Sequence, residues 1–491
     1  MVPDLNILRF RRQFILGPAP FAPNPYWFCV RLGELFLSVH RDLPCASATQ
    51  ADGVVILLGH AVDPFRAERD EQAIVESLAS GTWDIAQLIS ATCPLAGRWL
   101  VIAQNREGTY LFADACGMRH CAYLATGASI WCASEPELIG ANTPLAFTAD
   151  EGVREFLIHP AHARNQSAWV GNQTIYQDVL RLMPNHYLDV GQRRQVRHYP
   201  HAQIQPQDPV QVFEQATAIL RGIMTSITRR HKVSLGVTAG WDSRLMVAAS
   251  RHVKDSIEYF TWQKSDMPDH HPDIIVPKKL AQALKLNFAI KPAPSVFPAW
   301  FISLLAQNVT ATILPKTGNI FAQLRAGDDQ INLNGNTSEV ARNYYYDRSG
   351  RGRDELSSER MAMLLLHSEE VTAFPVQQVD EWKRDLGCPL DGPAMLDFLY
   401  WEQRMGGWCG QYFAEQDIAM DVIQPFNCRL LLETLLSCPR PMRSRPDYPL
   451  YRELIVRLWP EAMHVPINPS NLPFRVRRKL GRLIQGERTV A

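Results

Sequence analysis

The stretch VSLGVTAGWDSRLMVAAS, Val233 to Ser250, decides how this chain is read. Its first half is apolar and predicts a buried strand; its second half predicts a helix. Between them lies Thr238-Ala239-Gly240-Trp241-Asp242-Ser243-Arg244, small and polar with one aromatic. The first N–H groups of a helix have no partner within it and carry partial positive charge. Small residues let a phosphate approach those groups, and the hydroxyls of Thr238 and Ser243 add donors. Asp242 would repel a bare phosphate, so it makes sense beside a hard cation such as Mg²⁺ that bridges acid and phosphate. One phosphate-and-magnesium site therefore accounts for Thr238, Gly240, Asp242, Ser243 and Arg244 together. The plainer alternative is a tight turn with Asp or Ser capping the helix. Neither GxxxxGK(S/T) nor GxGxxG is present.

Working outward, Val212, Ala216, Ile219, Leu220, Ile223 and Ile227 fall on one helical face, and Arg229 and Arg230 suit that helix's C-terminal end. IEYFTWQ (257–263) predicts a second strand, and 274–284 a further helix. Alternating strands and helices imply a parallel sheet with ligands at the strand C-termini. The remainder, to Ala491, reads as mostly helical with prolines. Up to about Pro200 the pattern differs. DGVVILLG, GRWLVIAQ, GTYLFADA and SIWCASE are short apolar runs with turn residues between them. Asn105 to Gly108 reads as a hairpin loop, and helical patches interrupt near 71–78 and 151–157. HAQIQPQDPVQ (201–211), polar with two prolines, reads as a linker. The expectation is two domains, 1–203 sheet-rich and α+β, and 204–491 α/β with a helical C-terminal part.

The chain has 491 residues, 46% hydrophobic and 20% charged, in keeping with a globular protein of two or three domains. Fifty basic residues balance fifty acidic ones, so no bulk charge draws it to nucleic acid or an anionic membrane. The ten cysteines lack CxxC spacing and read as reduced thiols of a cytoplasmic protein. No run approaches a membrane span, and the N-terminus lacks the apolar core of a signal peptide. RVRRKLGR near the C-terminus reads as a solvated basic helix face.

The motifs resemble the asparagine synthetase-like branch of the ATP-pyrophosphatase superfamily. LGVTAGWDSRL is similar to its SGGxDS pyrophosphate loop, with Thr238, Gly240, Asp242 and Ser243 matching and Ala239 replacing a glycine. IEYFTWQ stands where the second strand contacts adenine. INLNGNTSEVARNYYY (331–346) resembles the SGxGxDExxxGY segment, with Gly335 at its first glycine and Glu339 where an aspartate binds magnesium. DVIQPFNCRLLLETLLSCP (421–439) is similar to the family's E-x-R-x-P-F-L-D segment at Pro425 and Phe426. GRWLVIAQNREGTYLFADACGMRHCAYL (97–124) resembles the strand pair and D-x-x-G turn, here Asp114 and Gly117, of the amidotransferase domain that precedes the synthetase domain. NQTIYQDVLRLMPNHYLDV (172–190) looks like that domain's closing segment, with Asn185 where glycine is usual.

The resemblance implies ATP and Mg²⁺, with Val237, Thr238, Gly240, Asp242, Ser243, Arg244, Thr261 and Gly335 at the nucleotide and Asp242 and Glu339 on the metal. It implies adenylation of a small-molecule or peptide carboxylate and capture of the acyl group by an amine. Val2 stands where glutamine-hydrolysing members carry a nucleophilic cysteine. The first domain is then a remnant without glutaminase activity, as in β-lactam synthetases and lasso-peptide cyclases. A partner protein or a second copy remains open. The group serving the second step is less defined. Asn336 replaces a frequent titratable base, so Glu339, one of Tyr344 to Tyr346 (Tyr345 foremost) and Glu402 are the candidates for proton transfer. Arg475, or else Arg477, Arg478 or Lys479, is the candidate for the family's late lysine. His270 and His271, between Asp269 and Asp273, read as a loop over the nucleotide rather than a metal cluster. WEQRMGGWCGQYF (401–413) reads as helix packing or a substrate-lining helix. A non-catalytic nucleotide-binding scaffold, amidation of a small acid with ammonia, and transfer of AMP to a macromolecule are the alternative readings.

Overall fold

The computed structural model describes residues 4–81, 83–127, 129–310, 316–327, 330–346 and 356–469. Within them the protein is a mixed α/β structure of two antiparallel sheets, one parallel sheet and many helices.

Two-residue periodicity builds the antiparallel pair. Along Gly53–Val62, Ile56 and Leu58 enter one core while Val55, Leu57 and Ala61 enter another. Ala96–Asn105 divides the same way, with Leu100 and Ile102 against Trp99, Val101 and Ala103. Phe14, Leu16, Leu37 and Val39 of the other sheet join the first core, so the two sheets pack face to face. Helices Glu71–Ala79 and Ile85–Ala91 cover the outer face of the second sheet. The hairpin loop at Asn105 forms as expected: its side chain accepts from the N–H groups of Glu107 and Gly108. So does the turn at Asp114, whose carboxylate accepts from the amides of Trp99, Met118 and Arg119 while Gly117 takes a φ of 64°.

Residues 201–208 are irregular, and Asp208 then caps helix Pro209–Arg230, with Pro209 in its first turn. All six residues assigned to that helix's apolar face are buried. The parallel sheet runs in the spatial order Phe288–Ala293, Ile257–Lys264, Val233–Gly236, Ile331–Leu333, Asp421–Ile423. From Val233–Gly236 the chain first builds outward on one side, then returns to build on the other. The order therefore reverses between Val233–Gly236 and Ile331–Leu333, where a crevice opens beyond the strand C-termini.

The boundary at 203/204 is crossed by packing. Ala115, Cys116, Met118, Val153, Phe156 and Trp169 share a core with residues from the helical part after 340. Buried ion pairs cross it too. Arg98 binds both oxygens of Asp417, at 2.5 and 2.8 Å, and Arg119 reaches Asp417 at 3.2 Å and Asp421 at 3.5 Å. Among the described residues no helix is long and apolar enough to cross a membrane. All ten cysteines are free thiols.

Candidate functional site

The loop Val237–Gly240 leaves the central strand at the crevice. The Val237 amide still pairs with the Phe260 carbonyl at 2.7 Å, so strand geometry persists one residue beyond Gly236. The chain then turns around Ser243. The Ser243 hydroxyl accepts from the Thr238 amide and stands 3.0 Å from the Thr238 hydroxyl. Asp273 reaches over from the next helix, Pro272–Leu284, and accepts from the Ala239 amide at 2.9 Å. Helix Trp241–Ala249 begins with Gly240 as its N-cap and has no side-chain cap hydrogen bond. The capped-turn alternative is thus not what forms: Ser243 folds back to Thr238, and Asp242 points elsewhere. Asp242 and Ser243 of this helix's first turn line the crevice, and no side chain caps its first amides.

Asp242 and Glu339, far apart in sequence, come together here. Gly335 makes this approach, since a Cβ on it would stand 3.0 Å from Met246 and 3.1 Å from the Asp242 carbonyl oxygen. Asp242 Oδ1 accepts from Ser338 Oγ at 2.6 Å and from Arg342 Nη2. Arg342 Nη1 lies 3.6 Å from Glu339 Oε1, and Tyr400 donates its hydroxyl to Glu339 Oε2 at 2.5 Å. Burial raises the Glu339 pKa and the Asp242 charge adds to the rise, while Arg342 and Tyr400 oppose it. A guanidinium therefore lies between the two acids assigned to magnesium. Asp242 is hydrogen-bonded to it and Glu339 is ion-paired with it, so this donor set does not fit a resident metal ion.

Asp242 also borders a cavity of about 410 Å³ at the strand ends. Val237, Thr238, Ser243, Thr261 and Gly335 line it, as the motif reading assigned them. So do Asn334 of the 331–346 motif, Tyr412 of the stretch 401–413 whose alternative reading is a substrate-lining helix, and Lys316, which the sequence did not single out. The Lys316 ammonium stands 3.8 Å from the centre of the Tyr412 ring, a cation–π contact. Burial pulls its pKa down. Asn336, in place of a titratable base, lines the cavity as well.

Other assigned residues lie elsewhere. Arg244 is two residues from Asp242 on the helix, so the two cannot share a face. It is buried and donates to the carbonyls of Ala462 and Val465, both at 2.6 Å, which ties the helix to a later segment rather than to the cavity. Tyr345 is buried among the rings of Tyr344, Tyr400 and His367; the tyrosine that reaches Glu339 is Tyr400. Glu402 is 0% exposed and bound by Arg197 at 2.7 and 2.9 Å, Asn185 at 2.7 Å and Trp382 at 2.7 Å. Four donors leave that carboxylate no free lone pair toward a substrate. Arg475, Arg477, Arg478, Lys479 and Val2 lie outside the described residues. His271 caps helix Pro272–Leu284, accepting from the Asp273 amide at 3.1 Å.

Among the described residues, His60, Glu71 and His231 bring ligand atoms within 4.8 Å of one another. The two nitrogens of His60 face Glu71 at 3.3 Å and Asp421 at 3.2 Å, and Arg230 also reaches Glu71. With a guanidinium on its carboxylate, the group is an ion network rather than a metal centre.

No protein-family model matches the chain, and neither does any curated protein. Among solved structures, an NMN synthetase from Francisella tularensis aligns with 15% identity and a TM-score of 0.21 over 40% of this chain and 94% of its own. A glutamine-dependent NAD+ synthetase from Acinetobacter baumannii, solved with adenosine diphosphate, aligns with 10% identity and a TM-score of 0.19 over 49% of each chain. At these scores neither likeness bears on the fold or the reaction.

Proposed function

We propose that this protein is an ATP-dependent ligase that activates a carboxylate by adenylation and passes the acyl group to an amine. The observation that carries this reading is the helix beginning at Gly240. Its first amides lack a side-chain cap, and Asp242 and Ser243 of its first turn line the cavity where the order of the parallel sheet reverses. A triphosphate lying on those amides would place its α-phosphorus in the cavity. A carboxylate oxygen attacks that phosphorus and pyrophosphate leaves; an amine then attacks the acyl carbon and AMP leaves. The loop amides, the Thr238 hydroxyl and the Lys316 ammonium supply the neutralising charge for the first step. Of the acids assigned to proton transfer or metal, Asp242 and Glu339 share Arg342 and Glu402 is sealed away; Asp273, which also lines the cavity, accepts from the Ala239 amide through Oδ1. Asp273, the leaving phosphate or the substrate itself is then the acceptor. The substrate remains a small-molecule or peptide carboxylate, closed intramolecularly or joined to a separate amine, with residues 1–203 acting without glutaminase chemistry.

The same acid pair favours a second reading, a nucleotide-binding scaffold without turnover. Pyrophosphate exchange into ATP in the presence of candidate acids separates the two. Exchange that disappears in Asp242→Ala supports adenylation. Tight ATP binding without exchange for any acid supports the scaffold, and absence of ATP binding defeats both.

A further inference from the structure

We infer that Arg342 is the resident cation of the Asp242–Glu339 pair, filling with a fixed guanidinium the place a divalent ion takes when two carboxylates share one. The inference rests on the proposed nucleotide site for its significance, but the geometry stands without it. Arg342 sends Nη2 to Asp242 and Nη1 to Glu339, one nitrogen to each acid. Its guanidinium carbon also lies 5.1 Å from the ring centres of both Tyr448 and Tyr451. Tyr451 is itself fixed, because its hydroxyl donates to the Ser338 carbonyl at 2.5 Å. Only 10% of the Arg342 side chain is exposed.

Three consequences follow from the chemistry of the groups. A guanidinium does not lose its proton in a protein, so its charge stays at any working pH. A small divalent ion needs carboxylate oxygens at about 2.0–2.1 Å in near-octahedral order. Here Asp242 Oδ1 already accepts from Ser338 and Arg342, Glu339 Oε2 accepts from Tyr400, and Glu339 Oε1 lies at ion-pair distance from Arg342. A metal could take Arg342's place only by expelling it from beside two aromatic rings, against its like charge. The chain between Gly335 and Tyr346 thus carries its counter-charge on the same short segment as Glu339.

The test uses the full-length protein without nucleotide, at one fixed, mildly alkaline pH. Free Mn²⁺ is followed by electron paramagnetic resonance during titration. Wild type should match the Asp242→Asn, Glu339→Gln double variant, with no manganese bound at the pair. Arg342→Met should gain a Mn²⁺ site at least about tenfold tighter than wild type, by removal of a like charge at contact distance. Adding Asp242→Asn should abolish that gain. Manganese binding by wild type that the double variant loses overturns the inference. So does a folded Arg342→Met, checked by circular dichroism, that gains nothing. Should Arg342→Met fail to fold, the comparison of wild type with the double variant decides alone. Loss of ATP binding alongside the expected manganese result would sink the ligase reading and leave this one intact.

Discussion

A residue without a side chain is the sharpest probe of the site. At Gly240 φ is −83°, and a Cβ would meet only Thr238 Oγ1 at 3.5 Å and Asn468 Oδ1 at 3.8 Å. Gly240→Asp should therefore fit, and its carboxylate should cap the helix from within. Thermal unfolding should show a protein no less stable, by a few tenths of a kcal/mol in its favour. Nucleotide binding should weaken by about tenfold or more, since the new anion takes the amides and repels a phosphate. Undiminished binding, measured by calorimetry, would take the phosphate off this helix. Lys316→Met belongs to the same scale. It keeps the contact with Tyr412 but removes the charge, so it should slow pyrophosphate exchange more than it weakens ATP binding. These residues differ in how legible they were. Thr238, Gly240, Asp242 and Ser243 declare themselves because their chemistry is local, a strand, a turn and a helix start within a few positions. Lys316 and Arg342 do not, because each takes its meaning from a ring or an acid contributed by another segment.

At the scale of elements, segment 399–409 explains a pattern that composition left ambiguous. Leu399–Cys409 forms a π-helix, an uncommon winding that shifts side-chain spacing from that of an α-helix. The glycines around it admit close neighbours. A Cβ at Gly406 would stand 2.6 Å from Pro184, at Gly407 2.8 Å from the Trp169 carbonyl oxygen, and at Gly410 2.3 Å from His120. This element brings Tyr400 to Glu339 and leads into the helix that carries Tyr412 to the cavity, while Glu402 faces the other way. Glu402→Ala would leave Arg197 only the half-exposed Asp385 as a carboxylate partner, and Asn185 and Trp382 without an acceptor, and should cost about 3–5 kcal/mol in chemical denaturation. Glu402→Gln retains an acceptor for one of Asn185 and Trp382 and should cost less. A large loss of exchange without loss of stability would return Glu402 to the chemistry. The strands Ile331–Leu333 and Asp421–Ile423 were not legible in advance. Three residues are too few to show alternation, and both are buried on every face.

At the scale of the whole molecule, ionic contacts join the antiparallel sheets to the parallel one. Burial would pull the His60 pKa down, but the Asp421 carboxylate outweighs it and, with Glu71, lifts the value to about 9. A pKa raised on folding contributes stability that is fully present below the unfolded value, about 6.5. That contribution is lost as pH rises through about 9. Urea midpoints should accordingly fall across this window, and His60→Gln should flatten the fall; an equally steep profile in the variant would show that another group carries it. The antiparallel strands of the first part and the parallel strands and helices around Val233 were legible from composition and periodicity. The depth of their engagement was not, because it depends on buried charges such as Arg98 and Asp417 that pattern alone places on the surface. That engagement has a consequence for synthesis. Arg12, Arg98 and Arg119 precede their acidic partners Asp417 and Asp421 by most of the chain's length. While a ribosome is still translating the second half, the nascent first half holds three arginines destined for burial but without counter-ions. A released 1–203 fragment should therefore stick to heparin columns at salt concentrations that elute the finished protein.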